Sequence, residues 1–271
     1  MLNKIKVGIS IGDPNGIGLE IILKTFQNDE IFESFPPPIP SGSSKFGLTL
    51  TLGPPPSSFS AVAAINLFVN RIESYNPLNK KNLIKMSKNI TKVTSDILPG
   101  EKIDCVAYAC TSGTIAAGFD TIESKVKKAK PEAEVTTPST ASVKALKKFN
   151  INKIAVFTPY PKKLNDEVLE FFKKENFTIT SNSYFNIDSD TDIGKVDINY
   201  LYDVLSKMDL NGADALLISC TALPALSIIE KLEKKLNKIV LSSNQTLIWD
   251  TLEKIGKNNS INGFGKLFSN N

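Results

Sequence analysis

Asp104-Cys105-Val106-Ala107-Tyr108-Ala109-Cys110-Thr111-Ser112-Gly113-Thr114 and Ala213-Asp214-Ala215-Leu216-Leu217-Ile218-Ser219-Cys220-Thr221 carry the reading of the fold. Each begins as a strand, over 104–109 and 213–219, and each strand runs straight into a Cys-Thr pair. On either side of these stretches, 153–158 is a strand ending in Pro159-Tyr160-Pro161, and 134–137 is a short strand. Residues 238–241 form another, ending in Ser242-Ser243-Asn244-Gln245. Between the strands, apolar residues recur at helical spacing, as at Leu164, Val168 and Phe171, or at Leu226, Ile229, Leu232 and Leu236. A last helix over 246–255 is closed by Gly256. Strands alternating with helices imply parallel sheets in an α/β fold.

The order of landmarks repeats. A strand followed by a proline loop occurs at Pro54 and at Pro159, a strand followed by Cys-Thr at Cys110 and Cys220, and a strand followed by a hydroxyl-rich turn at Thr136-Thr137 and Ser242-Ser243. The offsets 159−54, 220−110 and 242−136 all fall between about 105 and 110, as an internal repeat requires. The expected architecture is two similar lobes, each a parallel sheet flanked by helices, related by pseudo-twofold symmetry. Residues 45–135 plus 242–271 make the first lobe and 136–241 the second. Residues 1–44, with four prolines and three serines between 35 and 44, are expected to be an N-terminal appendage and linker, loosely attached and catalytically idle.

Composition narrows the chemistry. A net charge of +4, with lysines scattered over helix faces, gives no nucleic-acid signature. No apolar run reaches membrane-spanning length, and the N-terminus lacks a signal-peptide core, so a cytoplasmic protein is expected. Three widely spaced cysteines do not make a disulfide framework. Histidine is absent, so acid–base work near neutral pH falls to Cys, Lys, Tyr, Asp or Glu, and imidazole cannot ligate a metal.

In open parallel sheets, ligands bind at the carboxyl ends of strands, where both Cys-Thr pairs lie. If the lobes face each other, the two thiols enter one cleft from opposite sides. One thiolate can then take a proton from a carbon acid while the opposite thiol delivers one. A helix starting after each cysteine would favour the anion. The hydroxyls of Thr111, Ser112 and Thr221 could hold a carboxylate or enolate. A lone cysteine at a strand end is more often packing, and Cys105, inside an apolar strand, is read that way. Cys110 and Cys220 differ because they occupy matching points of a repeat. Tyr160 is placed at the ligand end of the second lobe. Ser243 and Asn244 suit either a helix cap or a carboxylate.

Tyr108–Thr114, Thr158-Pro159-Tyr160, Ser219-Cys220-Thr221 and Ser242–Gln245 resemble the maleate cis-trans isomerase and ectoine-utilisation branch of the aspartate/glutamate racemase superfamily. Pro54-Pro55-Pro56 and Gly263-Phe264-Gly265-Lys266-Leu267-Phe268 are more similar to arylmalonate decarboxylase of the same superfamily. The resemblance spans residues 46–268. It implies a two-lobed α/β enzyme without cofactor or metal, acting on small mono- or dicarboxylates. Cys110 and Cys220 take the catalytic roles, and Thr111, Ser112, Tyr160, Ser243 and Asn244 match carboxylate-binding positions. The decarboxylase has glycine where Cys110 stands, so two cysteines argue for isomerisation or racemisation. A decarboxylase with Cys220 as sole proton donor is the alternative, and a non-catalytic fusion product or small-acid binding protein is the alternative of another class. Homo-oligomerisation is left open. The isomerases carry Asn or Asp in the first-strand loop, where prolines, Ser57 and Ser58 are expected here.

Lys6–Glu20 is similar to the start of 4-hydroxythreonine-4-phosphate dehydrogenase. That family binds its metal through histidines, which this chain lacks, so the resemblance does not imply its chemistry.

Overall fold

The computed structural model describes residues 5–11, 48–51, 65–257 and 260–269. The first sheet has the order β2-β3-β1-β4-β5. Its strands are β1 (Ile5–Ile11), β2 (Leu48–Thr51), β3 (Ile65–Arg71), β4 (Cys105–Ala109) and β5 (Glu134–Thr136). All pair in parallel except β2, which lies antiparallel along the edge of β3. The second sheet is parallel throughout, with the order β7-β6-β8-β9. It contains β6 (Lys153–Thr158), β7 (Thr178–Tyr184), β8 (Ala215–Ile218) and β9 (Ile239–Ser242). The expected α/β class and two-sheet architecture hold. Central strands β4 and β8 are buried at every residue, as parallel strands covered on both faces must be.

Ten α-helices occur among the described residues. In chain order they are α1 (Lys80–Ser87), α2 (Ile90–Ser95), α3 (Thr111–Ala117), α4 (Phe119–Ala129), α5 (Pro138–Lys148), α6 (Lys162–Lys174), α7 (Asp190–Ile193), α8 (Ile198–Ser206), α9 (Ile229–Leu236) and α10 (Ser243–Lys254). Local chemistry sets their ends. Pro138 sits in the first turn of α5, where its missing N–H costs nothing. Ser242 and Gln245 form a capping box at the start of α10, three residues earlier than expected, so Ser242 rather than Ser243 or Asn244 is the cap. Along α6, Leu164, Val168 and Phe172 recur at i, i+4 and i+8 and bury one face.

The N-terminal segment departs from expectation. Ile5–Ile11 is not attached from outside. It lies between β3 and β4, paired with both, and buries Val7 and Ile9 in the core. The appendage reading rested on the change of composition at the proline-rich stretch. Composition cannot reveal that an earlier strand returns to the centre of a sheet. Residues 12–47, including that stretch, lie outside the described residues, as does Pro54.

Sheet order also corrects one landmark of the repeat. Matching the sheets strand for strand pairs β4 with β8, β5 with β9 and β3 with β7, and it pairs β1 with β6. The counterpart of the Pro159 loop is therefore the segment after β1, not Pro54. In sequence that segment begins Gly12-Asp13-Pro14-Asn15, so an Asp and an Asn do stand after the first strand. β2 has no counterpart in the second sheet, and β1 and β6 start 153−5 = 148 residues apart, further than the other landmarks.

Candidate active site

Cys110 and Cys220 both leave the carboxyl ends of central strands, as expected. Cys110 is the N-cap of α3, and its Sγ accepts a hydrogen bond from the Gly113 amide at 3.3 Å. After Cys220 no α-helix starts at once: the chain turns through 221–225 into a short 3-10 helix at Leu226–Ile228. Pro224 disfavours the helical region for Leu223, which explains the delay. The turn serves the sulfur instead, with the Ala222 amide donating to Cys220 Sγ at 3.3 Å and the Leu223 amide also directed at it.

Each sulfur has its own tyrosine. Tyr160 is buried, and its hydroxyl interacts with Cys220 and with Ser112, while also lying within electrostatic reach of Cys110. Tyr108 is fully buried with its hydroxyl turned to Cys110. Sequence reading passed over Tyr108, although it sits two residues before Cys110 and the period of a strand puts i and i+2 on one side. The tyrosine–serine bridge runs from Cys220 to Ser112, whose Oγ lies 3.9 Å from Cys110 Sγ, and so links the surroundings of the two thiols. Packing of α3 against α6 brings the two loops together.

The other expected binding residues are present in the same seam, with their side chains engaged across it. Thr111 donates to Ser243 Oγ at 2.9 Å, Thr221 donates to the Ala109 carbonyl at 3.1 Å, and Asn244 Nδ2 donates to the Thr221 carbonyl at 3.0 Å. All four are buried. These bonds join the strand end that carries Cys110 to the turn that carries Cys220. Ser112, Tyr108 and Tyr160 are the hydroxyls that reach the sulfurs.

The thiols are not activated in the direction expected. Burial pushes both Cys110 and Cys220 up to about 12, against the downward pull of the amides and hydroxyls that reach them. Cys110 keeps part of its surface open, yet protein surrounds its sulfur closely enough for desolvation to dominate. The carboxylate of Asp190, at the start of α7, adds to the rise of both thiols and of Tyr108. Asp190 has no motif around it in the sequence, and only the folding of the loop after β7 delivers it here. Cys105 is sealed in β4 and is also pushed up to about 12 by burial, consistent with a packing role.

A cavity of about 230 Å³ opens at the opposite end of the first sheet, lined by Gly100, Lys102, Ile103, Lys130 and Ala133 among others. It lies where β4 and β5 begin, away from both thiols, and parallel sheets bind ligands at the other end. Among the described residues, no group of three or more Cys, Asp or Glu side chains gathers as a metal site would require.

Known proteins share this fold. The family model described as arylmalonate decarboxylase matches residues 116–268. The maleate isomerase of Geobacillus stearothermophilus is 24% identical over 200 residues, covering 71% of this chain and 79% of that protein. The arylmalonate decarboxylase of Bordetella bronchiseptica is 27% identical over 136 residues, covering 49% and 57%. Among solved structures, a cysteine-to-serine mutant of Nocardia farcinica maleate cis-trans isomerase with a covalently bound succinylcysteine intermediate superposes with a TM-score of 0.80. That match is 17% identical and covers 98% of both chains.

Proposed function

We infer the function from one premise: this chain belongs to the arylmalonate decarboxylase family. It is a cofactor-independent enzyme that isomerises or racemises a small carboxylic acid, with Cys110 and Cys220 as its reacting groups. What supports this reading is the link between the two sulfurs through Ser112 and Tyr160, each sulfur with its own tyrosine and amide.

In a racemisation, one thiolate takes the proton on the carbon beside the carboxylate and becomes a thiol. The C–H electron pair passes into the carboxylate as an enediolate. The opposite thiol then protonates the other face and becomes the thiolate. In an isomerisation, one thiolate adds to a carbon of the double bond while the opposite thiol protonates the neighbouring carbon and becomes a thiolate; the adduct rotates about what is now a single bond, and that thiolate takes the proton back as the first sulfur leaves with its bonding pair. Both routes need one thiolate and one thiol. Burial makes the thiolate rare, about one in 10⁵ at pH 7 for a pKa near 12, but a correspondingly strong base. Ser112 and Tyr160 are the donors placed to hold negative charge as it develops. Thr111, Thr221, Ser243 and Asn244 support them by fixing the seam, and the N-terminal amides of α10 are a further carboxylate position.

The lobes divide as 45–135 with 242–271 and 136–241, and β1 joins the first. Among the described residues no helix is long and apolar enough to cross a membrane, and the three cysteines are unpaired. A reducing cytoplasmic location is the reading that suits three free thiols.

The test is deuterium uptake from heavy water into a panel of small carboxylic acids, with and without Cys110→Ala. Loss of uptake in the variant is expected. Full retained activity of Cys110→Ala would instead support the decarboxylase alternative, in which Cys220 alone protonates the product. The Bordetella relative makes that the second reading to exclude.

A further inference from the structure

Tyr108 is tied to Cys110 through both backbone and side chain. The Cys110 amide donates to the Tyr108 carbonyl at 2.9 Å, a three-residue turn that ends β4 and fixes the chain between the two. Their side chains converge beside the first turn of α3. A Cβ on Gly113 would stand 2.6 Å from the Tyr108 hydroxyl and 2.8 Å from Cys110 Sγ, so oxygen and sulfur both border the space that the glycine leaves empty. The third atom bordering that space is the methyl carbon of Met86, 2.9 Å from the same point, which cannot accept a hydrogen bond.

The Tyr108 hydroxyl is sealed from solvent and forms no hydrogen bond in the resting structure. Such a group lowers stability, because its bond to water in the unfolded chain is lost and nothing replaces it. Phenylalanine would fill nearly the same volume without that loss. The sulfur beside the hydroxyl supplies a reason for tyrosine. A thiol is a weak acceptor, whereas a thiolate carries a full negative charge and forms charge-assisted bonds with nearby donors. Both routes of the proposed reaction bring that charge onto Cys110, when it gives up its proton or when it leaves carbon with the bonding pair. The Gly113 amide, at 3.3 Å, is one donor already on this sulfur.

We propose that Tyr108 is a positioning residue for the reaction: its buried hydroxyl, unpaired at rest, donates to Cys110 Sγ once that sulfur is negative, and the fold tolerates an orphaned group to keep it there. The inference rests on the two-thiol reading above and adds a residue to it. Tyr108 keeps its own proton throughout, since burial holds its pKa well above that of an exposed tyrosine. Its hydroxyl is among the donors that pull the Cys110 thiol down against the effect of burial.

Tyr108→Phe in the full-length protein tests this by two readings. Thermal melting is expected to give a Tm that is unchanged or higher, by up to roughly 4 °C, because the variant sheds the unpaired hydroxyl. Alkylation by iodoacetamide at about pH 8, followed peptide by peptide, is expected to slow at Cys110 by roughly threefold or more. That figure combines about a tenfold loss of thiolate with the greater nucleophilicity of the thiolate that remains. Cys220 in the same sample should keep its rate. A lower Tm, or a variant that does not fold, shows that the hydroxyl is structural and overturns the proposal. A Cys110 rate that is unchanged, faster, or slowed in step with Cys220 overturns it as well. Neither reading needs turnover, so the proposal fails separately from the two-thiol reading, which fails when Cys110→Ala keeps full deuterium exchange.

Discussion

At the scale of single residues, Gly113 shows how little room the site allows. A Cβ added there would stand 2.6 Å from the Tyr108 hydroxyl, 2.8 Å from Cys110 Sγ and 2.9 Å from Met86 Cε. Each distance is below any real carbon contact, and two of the three atoms belong to the reacting group and its tyrosine. Gly113→Ala is therefore expected to cost roughly 1–3 kcal/mol of stability through overpacking. It should also lower kcat/KM by at least roughly a hundredfold by displacing the sulfur. Urea denaturation and steady-state kinetics check the two effects separately. A variant with unchanged kinetics would show that the thiol is not held in a working position. At this scale the sequence was informative where chemistry was local. Cys110 and Cys220 could be paired because a repeat marked them, and Tyr160 because it followed a strand end. Tyr108 was hidden inside an apolar strand, where an aromatic residue reads as packing. Asp190 comes from a loop whose path depends on hydrogen bonds to Pro159 and Leu78, contacts that no local pattern encodes.

Among the elements, β1 carries the clearest consequence. A strand paired on both sides contributes hydrogen bonds to two neighbours as well as buried side chains. Ile9→Ala is expected to destabilise by roughly 2–5 kcal/mol, as for other deeply buried aliphatic truncations. Deleting residues 1–11 should prevent the first lobe from folding, as read by loss of cooperative unfolding. A truncated chain that retained cooperativity and stability would restore the appendage reading. The alternation of strands and helices was legible because each strand ends in a distinctive turn. The position of β1 was not, since order within a sheet depends on long-range pairing. The helix assumed after Cys220 failed for a local reason, Pro224, which was visible in the sequence and outweighed by the analogy with Cys110.

Across the whole molecule, three thiols share one titration behaviour. Burial lifts Cys105, Cys110 and Cys220 from 9.0 to about 12, and Tyr108 and Tyr160 shift the same way. In each case the native state holds its proton more tightly than the unfolded chain does. The resulting stability is fully present below pH 9 and is lost as pH rises from 9 toward 12. The melting temperature should therefore show no loss from these groups up to pH 9 and fall steeply above it. Circular dichroism melts across that range check this, and a flat profile to pH 11 would mean that the sulfurs are better solvated than the structure shows. The same burial makes the ionised sulfur both scarce and strongly basic, so one physical term sets alkaline tolerance and reactivity together.

The chain's single tryptophan, Trp249, lies on α10, five residues beyond Asn244, with the Lys148 ammonium 5.7 Å from the centre of its ring. Nature has thus placed the only indole chromophore on the helix whose first turn stitches the halves together. Its emission spectrum reports on that helix and its α5 neighbour without interference from another indole, so a strain propagated from the thiols through α10 can be followed optically, with no label added.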